Sequence, residues 1–404
     1  MSEQNKTESQ NHFDILIIGG GPVGMTAALL MCQQGFKAAL FDRLDYKDVL
    51  SANYDGRTFA YAYGSKLVLE KAGIWKDLES HAQEIQDIFV TSEGPGEGLH
   101  YAAAEIADHP MGFNIETRHF RATVYEALQK QENFHLFAPC DIDEITFHQS
   151  HVKVQISGKD SPFTAPLALA ADGKNSFIRE QVGLKSKTIP YNQKALVFVI
   201  DHEKSHNNCA YEHFLKTGPV ALLPMKDEFC RRTRCGVIWS LHSDRADDYY
   251  ALSNSDLETE LSRHFSEILG PLSVNGRRWL FPLDVTVVKN YVAPRLVLIG
   301  DSAHAIHPVA GQGFNLGLRD VSTLATHLNK AKDLGLDLGS LTLLKDYEKK
   351  RRKDILSMTA MCDGLVRLFS NDNKSLGHLR RMGLDLTDKL PMLKKTLTRH
   401  AMGL

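Results

Sequence analysis

The chain begins with a polar stretch, residues 2–11, that holds no apolar segment; it predicts a disordered tail over 1–12 and no secretory signal. Residues 14–18 then read Asp-Ile-Leu-Ile-Ile, an apolar run of strand length that stops at Gly19-Gly20-Gly21-Pro22-Val23-Gly24. Residues 25–34 carry helical patterning closed by Gly35, and 37–41 form a second buried strand. Strand, glycine turn, helix and strand open a doubly wound sheet. Further on, 86–105 holds glycine turns around short strand-like pieces, and 123–131 predicts a helix. Alternation at Val152, Val154 and Ile156, followed by the apolar run 167–170, gives sheet over 146–172. The stretch 195–242 is β-rich, with strands over 195–200, 220–223 and 236–241. A helix over 255–269 is expected to be capped by Ser255 with Glu258 three residues on. A buried strand at 296–299 precedes a largely helical remainder, and no repeat of 20–50 residues occurs.

The strand near 297 has the character of the opening sheet, although a long β-rich region separates the two. The fold class is therefore α/β: a Rossmann-like nucleotide-binding domain from 13–79, 112–182 and 281–330, with a β-sheet substrate domain from 80–111 and 183–280 inserted into it and a helical C-terminal region over 331–404. With 404 residues, 43% hydrophobic and 24% charged, there is ample material for a core. No apolar run approaches the ~20 residues that span a bilayer. The cysteines (Cys32, Cys140, Cys209, Cys230, Cys235 and Cys362) form neither a Cys-x-x-Cys pair nor a zinc pattern, which favours free thiols in a reducing cytoplasm. The net charge of −2 is uneven: residues 341–404 carry 14 Lys/Arg against 7 Asp/Glu, the rest 33 against 42. A basic tail can meet an anionic membrane, although the count alone is better explained by a solvated helical face. No nucleic-acid-binding signature accompanies it, so no nucleic-acid partner is expected.

Three motifs carry chemistry. In Gly19-x-Gly21-x-x-Gly24, the first glycine permits the tight turn, the second lets backbone approach a pyrophosphate, and the third lets helix and strand pack closely. Phosphates then meet the N–H groups of a helix N-terminus. Asp42 follows Gly24 by 18 residues, where a carboxylate accepts a ribose hydroxyl. This pattern points to a dinucleotide without choosing between NAD and FAD. The second motif, Asp172-Gly173-x-x-Ser176-x-x-Arg179, read alone is equally well a capped helix start. The third runs Gly300-Asp301-Ser302-Ala303-His304, then His307-Pro308-Val309-Ala310-Gly311-Gln312-Gly313-Phe314-Asn315-Leu316-Gly317. A strand-end Asp can bind a polyol hydroxyl, and a glycine turn before a helix favours developing negative charge. His304 and His307 lack a third ligand at helical spacing, so no metal is expected. No second strand–GxGxxG–helix unit occurs, since Gly94-x-Gly96-x-Gly98 has the wrong spacing.

In this order the motifs resemble the FAD-dependent aromatic hydroxylases related to para-hydroxybenzoate hydroxylase. A narrower likeness lies in the run from His307 to Asn315, continued by Leu316-Gly317-x-Arg319-Asp320. Asp55-Gly56-Arg57-Thr58, Tyr191-Asn192-Gln193-Lys194-Ala195 and Glu212-x-Phe214…Gly218-Pro219-x-Ala221-x-x-Pro224 narrow it further, to the UbiH/UbiF-like ubiquinone-biosynthesis hydroxylases. The resemblance covers about residues 13–365. It implies that Gly19, Gly21, Pro22, Val23 and Gly24 hold the FAD pyrophosphate, with Asp42 and Arg43 at the adenosine ribose. Arg57, and either Arg118 or Arg121, would lie near the cofactor's phosphate and ribityl chain. Asp172 belongs near both FAD and the reducing nucleotide, Asp301 at the ribityl, and Pro308, Gly311, Gln312, Gly313, Phe314 and Asn315 along the isoalloxazine. Ser302 stands where the family usually shows Ala, a small change with no consequence expected.

The implied reaction is hydroxylation of a polyprenylated phenol by O2 through a flavin C4a-hydroperoxide, with NAD(P)H docking transiently as reductant. His213, His304 and His307 are candidates for assisting phenol deprotonation, but none is assigned as the catalytic group. Lys349 to Lys353 and Lys394-Lys395 would hold the enzyme peripherally at the cytoplasmic face of the membrane. Leu365, Val366, Leu368 and Phe369 read as helix core before lipid contact. The resemblance leaves room for contact with other ubiquinone-biosynthesis proteins. Two other readings stand beside it, a soluble hydroxylase of a small phenol and a non-catalytic flavin-binding scaffold subunit. A basic-tail binding module would leave all three motifs unexplained.

Overall fold

A computed structural model describes residues 11–51, 56–92, 98–227, 233–369 and 391–404. Outside the described residues lie most of the expected tail, Asp55, Gly94, Gly96 and Cys230, and also the side chains of Leu365, Val366, Leu368, Phe369 and Lys394. Of the tail, Asn11 and His12 are ordered against the strand Phe163–Ala165, with Thr164 N donating to Asn11 O at 3.0 Å.

The opening apolar run is wholly buried because both of its faces are covered. Ile15 and Ile17 join one hydrophobic cluster while Leu16 and Ile18 join the other, as the two-residue period of a strand requires. Strand Ile15–Ile18 sits inside a six-stranded sheet whose order is Val292–Ala293, Leu296–Leu298, Leu167–Ala170, Ile15–Ile18, Ala38–Phe41, Phe134–Phe137. All but the first are parallel to their neighbours. Three strands carrying the sequence motifs therefore lie side by side and point the same way, so their carboxyl ends deliver Gly19, Asp172 and Asp301 to one edge. Helices Pro22–Gln33, Thr117–Gln129 and Gln312–Asp333 cover one face, and the small antiparallel sheet Ile142–Phe147, Val152–Ile156 and Phe163–Ala165 covers the other.

The β-rich middle of the chain forms an eight-stranded sheet in the order His304–Ala305, Leu272–Val288, Ser186–His202, Thr233–His242, Gly218–Met225, Cys209–Leu215, Asp87–Ser92, Leu99–Ala102. Helices Ser243–Ala251 and Asn254–Leu269 close one of its faces. Strand Gln83–Ile85 pairs elsewhere, with Gly112–Glu116, in a three-stranded sheet that also contains Thr58–Ala62.

Two expected helix starts move. The helix expected at 255 begins at Asn254 and is capped by Ser253, whose hydroxyl accepts from Asp256 N at 3.1 Å. Two overlapping Ser-x-x-acid patterns compete there, and Glu258 is taken by Val274 N at 2.8 Å. The helix expected at 123 begins at Thr117, since Thr117, Phe120, Val124 and Leu128 already form a buried stripe that the intervening Arg118, His119 and Arg121 obscure in the sequence.

A buried charge cluster ties the C-terminal helices to the sheet. Asp320 is fully buried and accepts from His304 Nε2 (2.6 Å), Arg351 Nε (2.7 Å) and Gly300 N (3.0 Å). Arg351 also pairs with Asp354 at 2.6 Å, and Asp354 with Arg319 at 2.9 Å. Arg319 reaches the carbonyl of His400 (3.1 Å) in the helix Pro391–Met402. This corrects the basic run at 349–353. Arg351 is buried in the cluster and Arg352 pairs with Glu348 at 2.7 Å, which leaves Lys349, Lys350 and Lys353 as its exposed cations. Among the described residues no helix is long and apolar enough to cross a membrane.

Candidate active site

Each glycine of the first motif answers to a different constraint. Gly19 has φ +103°, and a Cβ there would lie 2.4 Å from Ala171 O; at Gly24 it would lie 1.9 Å from Gly19 O. Gly21 is different, with nothing within 4 Å of the position a Cβ would take, so backbone is presented to open space. The helix Pro22–Gln33 starts there with no side-chain cap and no acidic residue in its first turn, so its N–H groups face the same space. Asp42 stands at the next strand end, its oxygens accepting from Gly20 N and, at 2.8 Å, from Leu44 N. Tyr46 completes the loop's support, donating to Gly20 O at 2.9 Å.

Val23 joins the first and third motifs. Its side chain fills the room left by two missing Cβ atoms, at Gly300 and at Gly317. Asp301 follows at the lip of the cleft, open to solvent yet ringed by protein. That crowding pushes its carboxyl above its ordinary value, with His304, Arg57 and Lys174 pulling it back. The loop then enters helix Gln312–Asp333 through Gly311 in the left-handed region (φ +61°), again with no side-chain cap. The Oε1 of Gln312 is buried there without a hydrogen-bond partner.

The second motif is more than a capped helix start. Ser176 does cap the helix Phe177–Gln181, accepting from Arg179 N at 3.0 Å. Asp172, however, accepts from Ser302 Oγ at 3.0 Å, and that hydroxyl in turn accepts from Gly173 N at 3.0 Å. Arg179 donates to Ser302 O at 2.9 Å. Ser302, for which no consequence was expected, is thus the pin between the second and third motifs.

Other expected site residues separate into groups. Asn315 is spent inside the protein: its Nδ2 donates to Ala60 O and Gly311 O (both 2.8 Å), and its Oδ1 accepts from Ala62 N (2.9 Å) and Ser65 Oγ (2.6 Å). Phe314 stacks on Phe59 at 4.5 Å and meets Tyr61 and Phe120 edge-on, each at 5.3 Å. Arg57 lies over the Phe281 ring, 5.3 Å from its centroid. Arg118 is paired with Glu116 at 3.0 Å, and Arg234 holds the same carboxylate at 3.2 Å. Arg121 is buried, and its charge acts on Tyr46 and Tyr61, beside the glycine loop. Arg43 is exposed.

A family model described as an FAD binding domain matches residues 12–360. The chain belongs to that FAD-binding family. Its relatives include the ubiquinone hydroxylase UbiL of Rhodospirillum rubrum, 40% identical over 96% of this chain and 89% of the relative. The 3-demethoxyubiquinol 3-hydroxylase of Escherichia coli is 28% identical over 97% and 98% of the two chains. Among solved structures, p-nitrophenol 4-monooxygenase PnpA from Pseudomonas putida superposes with a TM-score of 0.77 at 19% identity, covering 97% of this chain and 98% of that one; it shares the fold. The site suits the family's cofactor on its own terms. The open backbone at Gly21, two uncapped helix N-termini and the orphaned Gln312 oxygen offer donors and acceptors to a long, anionic, polyol-bearing ligand.

The histidines near this cleft are bound up in structure. His304 is held by Asp320. His213 bonds Thr91 and lies 5.6 Å from the His264 ring, on the helix-covered side of its sheet. His307 is 1% exposed; its Nδ1 accepts from Val309 N (3.1 Å), so Nε2 carries the proton and donates to Gln193 Oε1 (3.2 Å). Burial pushes its pKa down to about 4, against a small opposing pull from Asp363. The unfolded chain takes that proton near pH ~6.5. The stabilisation from the neutral ring is therefore full above that value and is lost as pH falls toward 4, by up to about 3 kcal/mol. Denaturant unfolding from pH 7 to pH 4 should show a shallower acid limb for His307→Gln than for the natural protein. Identical limbs would mean that the buried ring titrates normally.

Proposed function

We propose that this protein is an FAD-dependent monooxygenase that uses NAD(P)H and O2 to hydroxylate the aromatic ring of a polyprenylated phenol in ubiquinone biosynthesis. The observation that carries the reading is the meeting of three motif-bearing strand ends at one cleft, pinned by Val23 and Ser302 and faced by the eight-stranded sheet. Support for the substrate class comes from relatives named ubiquinone hydroxylases that match almost end to end.

The pyrophosphate would rest on Gly21 and the N-terminus of helix Pro22–Gln33, with Gly19 and Gly24 shaping the turn and Pro22 and Val23 opening the helix. Asp42 and Arg43 would flank the adenosine ribose, while Arg57, Asp172 and Asp301 would meet the ribityl side. Backbone from Pro308 to Gly313 would line the ring, and the helix N-terminus at Gln312 would favour negative charge there. Asn315 and Phe314 serve that wall from behind, by fixing the loop to strand Thr58–Ala62. Bound in this way, FAD supplies the redox chemistry that activates O2 once NAD(P)H has reduced it. Of the two candidate arginines we assign Arg121 to the cofactor, because its charge acts on Tyr46, which supports the glycine loop, whereas Arg118 is paired with Glu116. A lipid-tailed substrate also calls for an encounter at the membrane, and the exposed Lys349, Lys350 and Lys353 supply cations for it.

Quinone mass spectrometry on bacterial strains that each lack one ring hydroxylase, and express this chain, tests the function. Ubiquinone should return in at least one strain. A folded, flavin-loaded protein that restores none would point instead to a small soluble phenol. In flavin titrations of the apoprotein, Arg121→Met should weaken FAD binding by about tenfold or more, as loss of a charge-assisted bond does, and Arg118→Met should weaken it less; the reverse order would exchange their roles. Cosedimentation with anionic vesicles should disappear at high salt, and binding that survives salt would remove the electrostatic account.

A further inference from the structure

On the face of the eight-stranded sheet turned away from its helices, one row of paired residues is apolar but for a single member. Strand pairing sets Val90, Glu212, Ala221, Ile238, Val197 and Trp279 in a single row across six strands, and residues paired in this way project to the same side. Glu212 is the one ionisable side chain in that row. Its neighbours on the strand confirm the direction. Tyr211 and Leu215 pack with the sheet's own helices, whereas Phe214, which shares the Glu212 face, clusters with Val309, Leu316, Met358 and Cys362. Val90, directly beside Glu212, joins the same cluster, as do Tyr191 and Ile306. Glu212 therefore looks across an apolar space toward the loop that runs from Ile306 into Gly311, the wall assigned above to the reacting end of the cofactor.

The carboxyl is half-buried and, among the described residues, has no hydrogen-bond or ion-pair partner. An unpartnered carboxyl in an apolar wall costs free energy unless something pairs with it. The groups around it do not. Its strand neighbours in the row are Val90 and Ala221. Helix Leu341–Phe369 brings Cys362, a thiol raised to about 12 by burial and then by the charge of Glu212 itself. It also brings Asp363, which accepts from Tyr191 Oη at 2.9 Å. The adjoining loop brings His307, neutral above pH about 4. Burial alone raises the Glu212 carboxyl to about 8, so it exchanges its proton within about a unit of neutral pH and is a stronger base than an ordinary glutamate.

We propose that Glu212 binds the hydroxyl of the aromatic substrate and takes its proton: the phenolic O–H bond breaks, an Oε–H bond forms on Glu212, and the electron pair stays on the phenolic oxygen, enriching the ring. This rests on the aromatic-hydroxylation reading above. The missing partner of Glu212 is then the substrate itself, and the apolar row around it is the surface on which the ring and the first isoprene units lie.

The test compares binding of 2-hexylphenol and its methyl ether, 2-hexylanisole, to the FAD-loaded protein by calorimetry between pH 6.5 and pH 9. The natural protein should prefer the phenol by about tenfold at pH 9, where an ionised carboxylate makes a charge-assisted bond. That preference should fall as pH drops through about 8. Glu212→Gln should bind the ether unchanged, keep its flavin spectrum, and lose both the preference and its pH dependence. A Gln variant that retains the preference, or a natural protein that binds both probes equally at every pH, overturns the role of Glu212 and leaves the hydroxylase reading standing. Binding of neither probe to the natural protein would overturn that reading, and the proposal with it. If Glu212→Gln fails to retain flavin, the pH profile of the natural protein decides alone.

Discussion

Asp320 is the point on which the site's architecture hangs. Its carboxylate has no exposure, and burial on its own would drive it toward protonation; His304 and Arg351 more than offset that cost and hold it below its ordinary value. One of its oxygens also accepts from the backbone N–H of Gly300. The residue that follows, Asp301, therefore takes its place at the cleft from a charge cluster behind it. Arg351 and Arg319 continue the cluster through Asp354 to the carbonyls of the last helix, so four chain segments distant in sequence meet around two carboxylates. Buried pairs of this kind contribute little net stability when complete. Removing one partner strands a charge and costs on the order of 3–5 kcal/mol. Such asymmetry fixes one arrangement rather than merely favouring it, and the cofactor edge inherits that definition.

A second layer of definition comes from absent side chains. Gly300 and Gly317 leave a slot that Val23 fills, and Gly19 and Gly24 let the turn close on Ala171. Of these five, only Gly21 faces open space. Four of these five glycines are therefore packing devices, and one leaves backbone open to a ligand, although all look alike as letters. Ser302 works in the same economy. One hydroxyl, donating to Asp172 and accepting from Gly173, locks two motifs that lie 130 residues apart.

Much of this was legible from the chain because the chemistry sits at strand ends, where a local apolar run and the glycine or aspartate that stops it are adjacent in sequence. The opening βαβ unit, the return of the strand near 297 to the same sheet and the helical ending followed from that. What escaped was decided by competition or by lateral pairing. Ser253 and Ser255 offer equivalent caps, and the choice depends on Val274, on a different element, claiming Glu258. Arg118 and Arg121 are three apart on one helix, and their different surroundings, Glu116 shared with Arg234 at one and the tyrosines beside the glycine loop at the other, are set by strands that the local sequence does not show. His307 reads as a candidate base until its two ring nitrogens are seen to be engaged by Val309 and Gln193. Lys349 to Lys353 read as one basic patch, yet Arg351 points inward because Asp320 needs it.

The cleft is consequently polar at one end and apolar at the other, and this division explains why its chemistry can be left to a cofactor. Helix N-termini, glycine backbone and aspartates gather at the end where, in the binding mode proposed above, a phosphate and polyol chain would be held. The opposing sheet face offers Val90, Ala221, Ile238 and Val197 around a single carboxyl. Such a wall is of low polarity, and a carboxyl set in it loses solvation that a surface glutamate keeps. An ordinary surface glutamate would be too weak a base to draw a proton from a phenol. Raised by its apolar surroundings, Glu212 comes several pK units closer to that task, while the same surroundings receive the hydrocarbon tail. Affinity for a greasy substrate and activation of its hydroxyl thus arise from one physical cause, the low polarity of the sheet face.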